Sequence, residues 1–311
     1  MQNIKKFIIL SKIKYKTIFF YRNFFRKNPF KIFGGNFKFI KKNNKQPLVT
    51  IFTCVKNGQE TLQKTINSVR MQTYKNIEYI IVDGGSVDGT LKILKRNNKY
   101  INFWISEIDK GTSEAVNKAI SLARGKYLFW LASDDMINRD FIKIAVNNFK
   151  KNNFDFIFGS MKMFSNKSEL SSHQKRKKEQ FNLNKFKEII FTGVGGIPYP
   201  AIVFNRSCFQ KLGLLSLNYK FVNDHDLLIR LFKNKNPKYL FDYKMVVFRK
   251  KGGLVDRNYF KYFLEQIKLL KSHELSYFKC IEFYLPILIR ITLGRVLKNF
   301  RNIKAYQNIQ T

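Results

Sequence analysis

Apolar runs alternate with stretches of helical spacing through the first half of the chain. Continuous apolar runs predict buried strands, and apolar residues three or four positions apart predict helices. The predicted strands cover 48–55, 77–82, 101–105 and 127–131, and the helices between them cover 58–72, 90–98 and 113–123. Strands that alternate with helices in this way form a mostly parallel sheet flanked by helices. The pattern therefore predicts an α/β fold.

The second half of the chain has a less regular pattern. Residues 141–150 and 224–232 have helical spacing, and residues 154–164 are typical of one or two strands. Residues 165–178 are polar and basic, which is typical of an exposed loop. Beyond Asp256, aromatic, aliphatic and basic residues alternate, and this pattern predicts amphipathic helices.

Composition divides the chain into three parts. Residues 1–46 are rich in Lys, Arg and aromatic residues and contain no acidic residue. Such a segment can lie on an anionic membrane surface, or it can be a loosely ordered extension. We therefore predict a basic, aromatic N-terminal extension over 1–46, an α/β domain over 47–255 and an amphipathic helical C-terminal extension over 256–311.

No segment has the roughly 18 uninterrupted apolar residues that a membrane span needs. The longest apolar stretch, 281–297, is interrupted by charged residues and by Pro286. The N-terminal apolar run is too short for a signal peptide. Cys54, Cys208 and Cys280 show no metal-like spacing and suit a reducing compartment. We expect a cytoplasmic protein that associates peripherally with the inner face of the cell membrane.

The charge of the chain is strongly positive. The 58 Lys and Arg residues exceed the 21 Asp and Glu residues, which gives a formal net charge of +37. This charge favours partners with phosphates, namely nucleotides, nucleic acids or anionic lipids. Lys, Asn, Ile and Phe are all abundant, as in proteins encoded by A- and T-rich DNA, so part of the excess reflects codon usage.

Acidic residues are scarce, and they concentrate after the predicted strands. Asp83 ends the second strand, and Glu107 and Asp109 follow the third. Asp134 and Asp135 follow the fourth. The carboxyl ends of parallel strands meet at one edge of a sheet, where ligands bind. The adjacent carboxylates of Asp134 and Asp135 would repel each other unless a cation or hydrogen bonds compensated them, so the sequence predicts a divalent-metal site.

The turn at 83–90 joins the second strand to a helix and has the sequence D-G-G-S-V-D-G-T. Its glycines permit a tight turn, and Asp88 is placed to cap the helix that follows. The turn lacks the Lys of a Walker motif and the spacing of a dinucleotide fingerprint. The carboxylate of Asp83 is left to accept hydrogen bonds from a base or a sugar.

Six short motifs follow one another along the chain at 53–57, 83–90, 106–111, 117–118, 133–135 and 223–226. In this order they resemble the family 2 glycosyltransferases, which are inverting bacterial enzymes of the GT-A fold that build cell-surface polysaccharide. The resemblance covers about residues 47–255. It implies a Rossmann-like GT-A domain that moves a sugar from a nucleotide-sugar donor to a glycan or lipid-linked glycan acceptor.

The resemblance also implies a donor site. The end of the first strand, with Thr53 and Val55, would hold the nucleotide base together with Asp83. Asp134 would contact the ribose. Asp134 and Asp135 would ligate Mg²⁺ or Mn²⁺ on the diphosphate, with Asp135 as the closer ligand.

The late acidic motif implies the catalytic base. Asp224 would take the proton of the acceptor hydroxyl, and a single base of this kind gives inversion by direct displacement. Asp226 points away from Asp224 on the predicted helix, so we expect it to cap the helix or to pair with Arg230. His225 is expected to have a structural role.

Three alternatives stay open at this point. A polyprenyl-phosphate sugar transferase would have a phosphate acceptor and would need no base at Asp224. A basic nucleic-acid-binding protein would suit the net charge, but the acidic residues cluster where a phosphate backbone would dock, so we expect no nucleic-acid partner. An inactive protein that keeps the fold is the third.

Overall fold

The computed structural model describes residues 32–36, 46–164, 183–192, 199–234 and 236–289. These residues fall into two compact units. The first contains the described residues up to 164 and residues 199–251, and the second contains 183–192 and 252–289. No described helix is long and apolar enough to cross a membrane.

Within the described residues, the first unit contains a nine-stranded sheet. Its strands are β1 (Ile32–Gly34), β2 (Val49–Val55), β3 (Ile77–Asp83), β4 (Phe103–Ser106), β5 (Tyr127–Trp130), β6 (Met136–Ile137), β7 (Phe156–Phe164), β8 (Ile202–Asn205) and β9 (Tyr239–Lys250). Their spatial order is β1-β4-β3-β2-β5-β8-β7-β9-β6.

The centre of this sheet confirms the predicted α/β arrangement. Strands β4, β3, β2 and β5 run parallel to one another, and β7 runs parallel to β9. The pairs β1 with β4, β5 with β8, β7 with β8 and β6 with β9 are antiparallel, so the sheet is mixed. The four parallel strands end at one edge, as the sequence predicts.

Helices connect the strands of the first unit. They are α1 (Leu62–Arg70), α2 (Thr90–Arg96), α3 (Thr112–Leu122), α4 (Phe141–Lys151), α6 (Ser207–Leu212) and α7 (Asn223–Asn234). The second unit contains α5 (Leu183–Thr192), α8 (Leu254–Arg257) and α9 (Tyr259–Ser272), and residues 278–289 are also helical. The predicted helices at 141–150 and 224–232 are thereby confirmed as α4 and α7.

The alternation of side chains along β5 shows how the core is divided. Tyr127 and Phe129 pack on the face covered by α1 and α4, and the Phe129 ring lies 4.8 Å from the Phe141 ring. Leu128 and Trp130 point to the opposite face, against α3, α6 and α7. Each large apolar side chain that is fully buried contributes roughly 1.5–3 kcal/mol. The strands are therefore fixed from both faces, and their ends have defined positions.

Residues 32–34 form a strand that the sequence analysis did not predict. Ile32 lies opposite Ser106, and Gly34 lies opposite Trp104. A Cβ atom at Gly34 would lie 2.7 Å from the Trp104 ring, so this edge strand needs glycine there. Part of the predicted N-terminal extension therefore belongs to the sheet. The rest of that extension, the predicted loop at 165–178 and the end of the chain after residue 289 lie outside the described residues.

Side-chain hydrogen bonds join the loop after β2 to the loop after β3. The Asn57 N–H donates to Ser86 Oγ at 2.7 Å, and the Gln59 N–H donates to Asp88 Oδ2 at 3.0 Å. The Thr90 N–H at the start of α2 donates to Asp88 Oδ1 at 3.0 Å, although the N-cap residue of this helix is Gly89 and not Asp88 as predicted. The polar residues of the turn at 83–90 thus hold two strand ends together.

Helix α3 anchors the loop that leads into α7. Asn117 donates to the carbonyl of Leu215 at 2.9 Å and accepts from its N–H at 2.8 Å. Ser113 Oγ donates to the carbonyl of Tyr219 and accepts from Asn223 Nδ2 at 2.7 Å. The start of α7 is therefore fixed by polar side chains of a helix about 100 residues earlier in the chain.

Replacement of Asn117 by Leu removes both bonds and leaves the buried N–H and carbonyl of Leu215 without partners. We expect Asn117→Leu to lower the free energy of unfolding by roughly 2 kcal/mol, measured by urea denaturation. Ser121→Ala is the control, because Ser121 Oγ bonds only within the same helix. We expect the control to change stability by less than about 0.5 kcal/mol. Equal losses in the two variants would contradict the anchoring role.

Candidate active site

The ends of β2 and β3 place three predicted base contacts side by side. Val55 lies opposite Asp83 in the parallel register. The side chain of Thr53 is buried, and its hydroxyl bonds the Tyr79 hydroxyl at 3.1 Å. The side chain of Val55 lies in the apolar core, and its carbonyl accepts from the Gly84 N–H. Thr53 and Val55 can therefore reach a base through backbone atoms and not through side chains.

The carboxylate of Asp83 is buried and has three donors within the protein. Ser86 donates to it through both its hydroxyl and its N–H, and Ser106 Oγ donates to Asp83 Oδ2 at 2.6 Å. A carboxylate has about four lone-pair positions, so roughly one is left for a ligand. In this structure the Asp83 carboxylate joins the end of β3 to the end of β4 through its hydrogen bond from Ser106.

Asp109 was not assigned a role from the sequence, yet the structure gives it a distinct place. A Cβ atom at Gly84 would lie 2.7 Å from Asp109 Oδ2, so the glycine makes room for this carboxylate. Burial raises the pKa of Asp109, and the nearby charge of Lys118 opposes the rise. Burial and the charge of Asp109 raise the pKa of the Cys54 thiol. The sequence signal for Asp109 was the motif at 106–111, which begins at the last residue of β4.

The chain between β5 and β6 carries the predicted metal ligands. Thr65 Oγ1 on α1 lies 3.0 Å from the carbonyl oxygen of Ser133 and 2.8 Å from that of Asp135, which fixes the turn. Asp135 is only 2% exposed, and its Oδ1 accepts from the Lys250 N–H at 3.2 Å. Asp134 is half-buried and lines a polar cavity of about 280 Å³.

The environment of Asp135 disfavours the ionised form of its carboxylate. Burial and the neighbouring Asp134 raise the pKa of Asp135 to about 8, while Arg249 and the Lys250 N–H oppose the rise. A buried carboxylate beside a second carboxylate is costly when ionised. A cation at this place would lower that cost.

These residues fit a divalent metal that is shared with a substrate. Within the described part of the chain, no three His, Cys, Asp or Glu side chains form a metal cluster. Mg²⁺ is usually held by one or two carboxylates together with substrate phosphates and waters, and not by a cage made of protein alone. Asp134 and Asp135 supply carboxylate oxygens of the kind that such a site needs.

Asp224 lies in the first turn of α7. Its N–H donates to Asn223 Oδ1 at 2.8 Å, and its own Oδ1 accepts from the His225 N–H at 2.8 Å. Burial raises the pKa of Asp224 to about 6, while the His225 N–H and the charge of Arg249 oppose the rise. Asp224 lines a second cavity, of about 30 Å³, whose walls are mostly apolar.

Asp226 and His225, which follow Asp224 on α7, make contacts of their own. Asp226 Oδ2 accepts from Arg230 Nε at 2.9 Å, which confirms the predicted pair. His225 is buried, and its ring lies 5.9 Å from the ring of Tyr199. Asp224 and Asp226 therefore have separate surroundings, as their spacing on the helix predicts.

Arg249 connects the predicted metal ligands with the predicted base. Its charge lowers the pKa of both Asp135 and Asp224, so both carboxylates lie within electrostatic reach of one guanidinium. Sequence reasoning missed this residue. Its only local signal is its place just before the glycine pair at 252–253, and an arginine is not distinctive in so basic a chain.

Comparison with known proteins gives a family match. The model of "Glycosyl transferase family 2" matches residues 50–213, which is more than half of the 311 residues. An uncharacterized glycosyltransferase of Rickettsia prowazekii is 29% identical over 214 residues, which cover 67% of this chain and 65% of the relative. The Escherichia coli UDP-Glc:alpha-D-GlcNAc-diphosphoundecaprenol beta-1,3-glucosyltransferase is 27% identical over 190 residues, covering 61% of this chain and 71% of that enzyme.

Solved structures share the fold. Residues 1–349 of Staphylococcus aureus TarS in complex with UDP-GlcNAc give a TM-score of 0.57 at 19% identity, with 72% of this chain and 65% of that chain covered. A mannosyltransferase of Pyrobaculum calidifontis in complex with GDP-Man and Mn²⁺ gives 0.51 at 15% identity, with 85% and 76% covered.

The strand order, the helices on both faces and these structural similarities confirm the predicted GT-A-like α/β fold. The chain spans about two thirds of the length of the Rickettsia relative. The motifs that carried the resemblance lie at the carboxyl edge of the parallel strands or on α3 and α7. Side-chain hydrogen bonds of α3 join it to α7 and to the loop before α7. With a family match over more than half of its length, the chain belongs to glycosyltransferase family 2.

Proposed function

We propose that this protein transfers a sugar, with inversion, from a nucleotide-sugar donor to a glycan or lipid-linked glycan in the synthesis of cell-surface polysaccharide. One observation carries the proposal. In a chain of this family, the charge of Arg249 lowers the pKa of both Asp224 and Asp135, the buried member of the acidic pair. The E. coli relative acts on a diphosphoundecaprenol-linked sugar, which supports the lipid-linked acceptor.

The proposed reaction is a single displacement. The oxygen of an acceptor hydroxyl attacks the anomeric carbon and forms the new glycosidic bond as its proton passes to Asp224. The bond between the anomeric carbon and the diphosphate breaks, and the nucleoside diphosphate leaves with the bonding electrons. Attack from the face opposite the leaving group inverts the anomeric configuration.

The reaction also requires that the negative charge on the leaving diphosphate be stabilised. Mg²⁺ or Mn²⁺ held by Asp134 and Asp135 would act as a Lewis acid on the diphosphate. The charge of Arg249 lowers the pKa of both Asp135 and Asp224, so it adds positive charge near these two carboxylates. Asp83, with the backbone at Thr53 and Val55, would hold the base, and Asp134 would contact the ribose.

We expect Asp224→Asn to keep nucleotide binding and to lower sugar transfer by at least about 100-fold, because the general base is lost. Transfer of labelled sugar to lipid-linked acceptors measures this, and calorimetry with UDP or GDP measures binding. Asp226→Asn is the matched control, since Asp226 bonds Arg230, and it is expected to stay active. Transfer at the wild-type rate in Asp224→Asn would remove the base assignment and would favour a phosphate acceptor.

The ionisation of Asp224 predicts a pH profile. Burial raises its pKa to about 6, and only the ionised carboxylate can accept a proton. We therefore expect kcat/KM to rise with pH through about 6 and to level off above about 7, at about tenfold per pH unit on the acidic limb. A profile that is flat between pH 5 and 7, about one unit to either side of 6, would contradict the assignment.

Asp135→Ala tests the metal site. We expect transfer to fall at least about 100-fold and to lose its response to added Mn²⁺, because the buried ligand is gone. Titration with Mn²⁺ after treatment with EDTA measures this. Asp140→Asn is the control, because this nearby acid bonds Thr73 Oγ1, and its metal response should match the wild type. A normal Mn²⁺ response in Asp135→Ala would rule out Asp135 as a ligand.

We also propose that the second unit holds the protein at the cytoplasmic face of the cell membrane. Large apolar side chains are exposed on α8, α9 and the helix at 278–289, namely Leu254, Phe260, Leu264, Phe278, Phe283, Leu285 and Ile289. Basic side chains share the exposed face of α9, where Lys261, Lys268 and Lys271 lie among Phe260 and Leu264. An apolar surface with basic residues around it is complementary to an anionic bilayer.

The double variant Phe260→Glu, Leu264→Glu tests this surface. We expect its partition onto phosphatidylglycerol vesicles to fall at least about tenfold, because two apolar contacts are lost and negative charge is added. Co-sedimentation measures the bound fraction. Met71→Glu in the first unit, where Met71 is 66% exposed, should bind as the wild type does. Unchanged vesicle binding in the double variant would contradict the proposal, and a dimer by gel filtration would assign the surface to a second copy.

A further inference from the structure

The indole N–H of Trp130 needs a hydrogen-bond partner that the described residues do not provide. Its nitrogen is shielded from solvent and has no acceptor among the described residues. An indole N–H can only donate a hydrogen bond, and a buried donor without a partner costs about 1–3 kcal/mol. A ligand group, a water or a residue outside the described ranges can complete this bond.

The position of Trp130 is fixed by the strand that leads to the acidic pair. Trp130 is the last residue of β5, and Asp134 follows it by four positions. The alternation of β5 points its side chain to the face that carries α3, α6 and α7. Trp130 and Asp224 both line the same cavity of about 30 Å³.

This cavity suits one small polar group. Its walls are mostly apolar, and the lining side chains that carry polar atoms are Trp130, Tyr199 and Asp224. A cavity needs roughly 10–15 Å³ to hold a water-sized group, and this one is larger. A whole sugar ring would not fit, whereas one hydroxyl of a sugar would.

Asp224 and Trp130 together limit the chemistry of a ligand that contacts both of them. Asp224 in its ionised form can only accept hydrogen bonds, and Trp130 can only donate one. An ammonium group would suit Asp224 but could not accept from Trp130. A phosphate or carboxylate would accept from Trp130 but would be repelled by Asp224. A hydroxyl group does both, since it donates one hydrogen bond and accepts others.

We propose that Trp130 and Asp224 together hold the attacking hydroxyl of the acceptor sugar. The inference rests on the proposed role of Asp224 as the base. The hydroxyl proton points to Asp224, and one lone pair of the oxygen accepts from the Trp130 N–H. The second lone pair is free to attack the anomeric carbon. Trp130 is thus a positioning residue that sets the direction of attack and admits a hydroxyl in preference to charged acceptors.

The first test needs no acceptor and asks whether the two side chains share the cavity. The chain contains two tryptophans, so nitrogen-labelled protein gives two indole signals by NMR. The Trp104 indole donates to Asn98 Oδ1 at 2.6 Å and is the internal reference. We expect the Trp130 signal to shift with pH through about 6 in the wild type and to lose this shift in Asp224→Asn. A Trp130 signal that ignores pH in the wild type would overturn the inference.

The second test is Trp130→Phe, which keeps an aromatic ring and removes the N–H. We expect kcat/KM for the acceptor to fall about tenfold, with the KM for the donor and the pH profile unchanged. The donor and acceptor are those used for the Asp224→Asn variant. Trp104→Phe is the matched control, since its indole bonds within the protein, and its kinetics toward the acceptor should not change.

The outcomes separate the two proposals. Full acceptor kinetics in Trp130→Phe, with Asp224→Asn inactive, would overturn the role of Trp130 and leave the proposed function intact. Full activity in Asp224→Asn would overturn the proposed function itself. An equal fall in kcat/KM for the donor and for the acceptor in Trp130→Phe would indicate a purely structural role. That result would also overturn the inference.

Discussion

The buried carboxylate of Asp83 is the interaction on which the site geometry depends. It accepts hydrogen bonds from Ser86 in its own loop and from Ser106 at the end of β4. The adjacent Gly84 N–H binds the Val55 carbonyl at the end of β2. Three parallel strand ends are therefore tied at one point, and a carboxylate buried this deeply persists only because donors surround it. The ends of β2, β3 and β4 therefore keep fixed positions relative to one another.

Acidic and basic residues are unevenly distributed in this protein. The chain as a whole is strongly basic, but the carboxyl edge of its sheet concentrates buried acids whose ionisation is costly. Burial shifts Asp135 and Asp224 in the same direction, yet their partners differ, because Asp135 adjoins a second carboxylate and Asp224 lies among apolar side chains. Environments of this kind separate a site for a cation from a site for a proton.

The sequence predicted the centre of the fold and the acidic edge because both depend on local patterns. The apolar runs at 48–55, 77–82 and 127–131 became β2, β3 and β5 with ends shifted by one residue at most. Strands β1, β6 and β8 have two to four residues, too few for a periodic signal, and β9 carries polar residues where its register with β7 shifts. The internal partners of Asp83 and the place of Arg249 depend on pairing between distant segments, which no local pattern contains.

Arg249 has a consequence for how the two ends of the site communicate. One guanidinium influences both Asp135 and Asp224, so any ligand that neutralises or displaces it alters the proton affinity of both carboxylates together. By linkage, the reverse also holds, and the protonation state of either carboxylate alters the affinity for such a ligand. The end of strand β9 therefore couples the two halves of the site electrostatically, so that ligand binding in one half changes proton binding in the other.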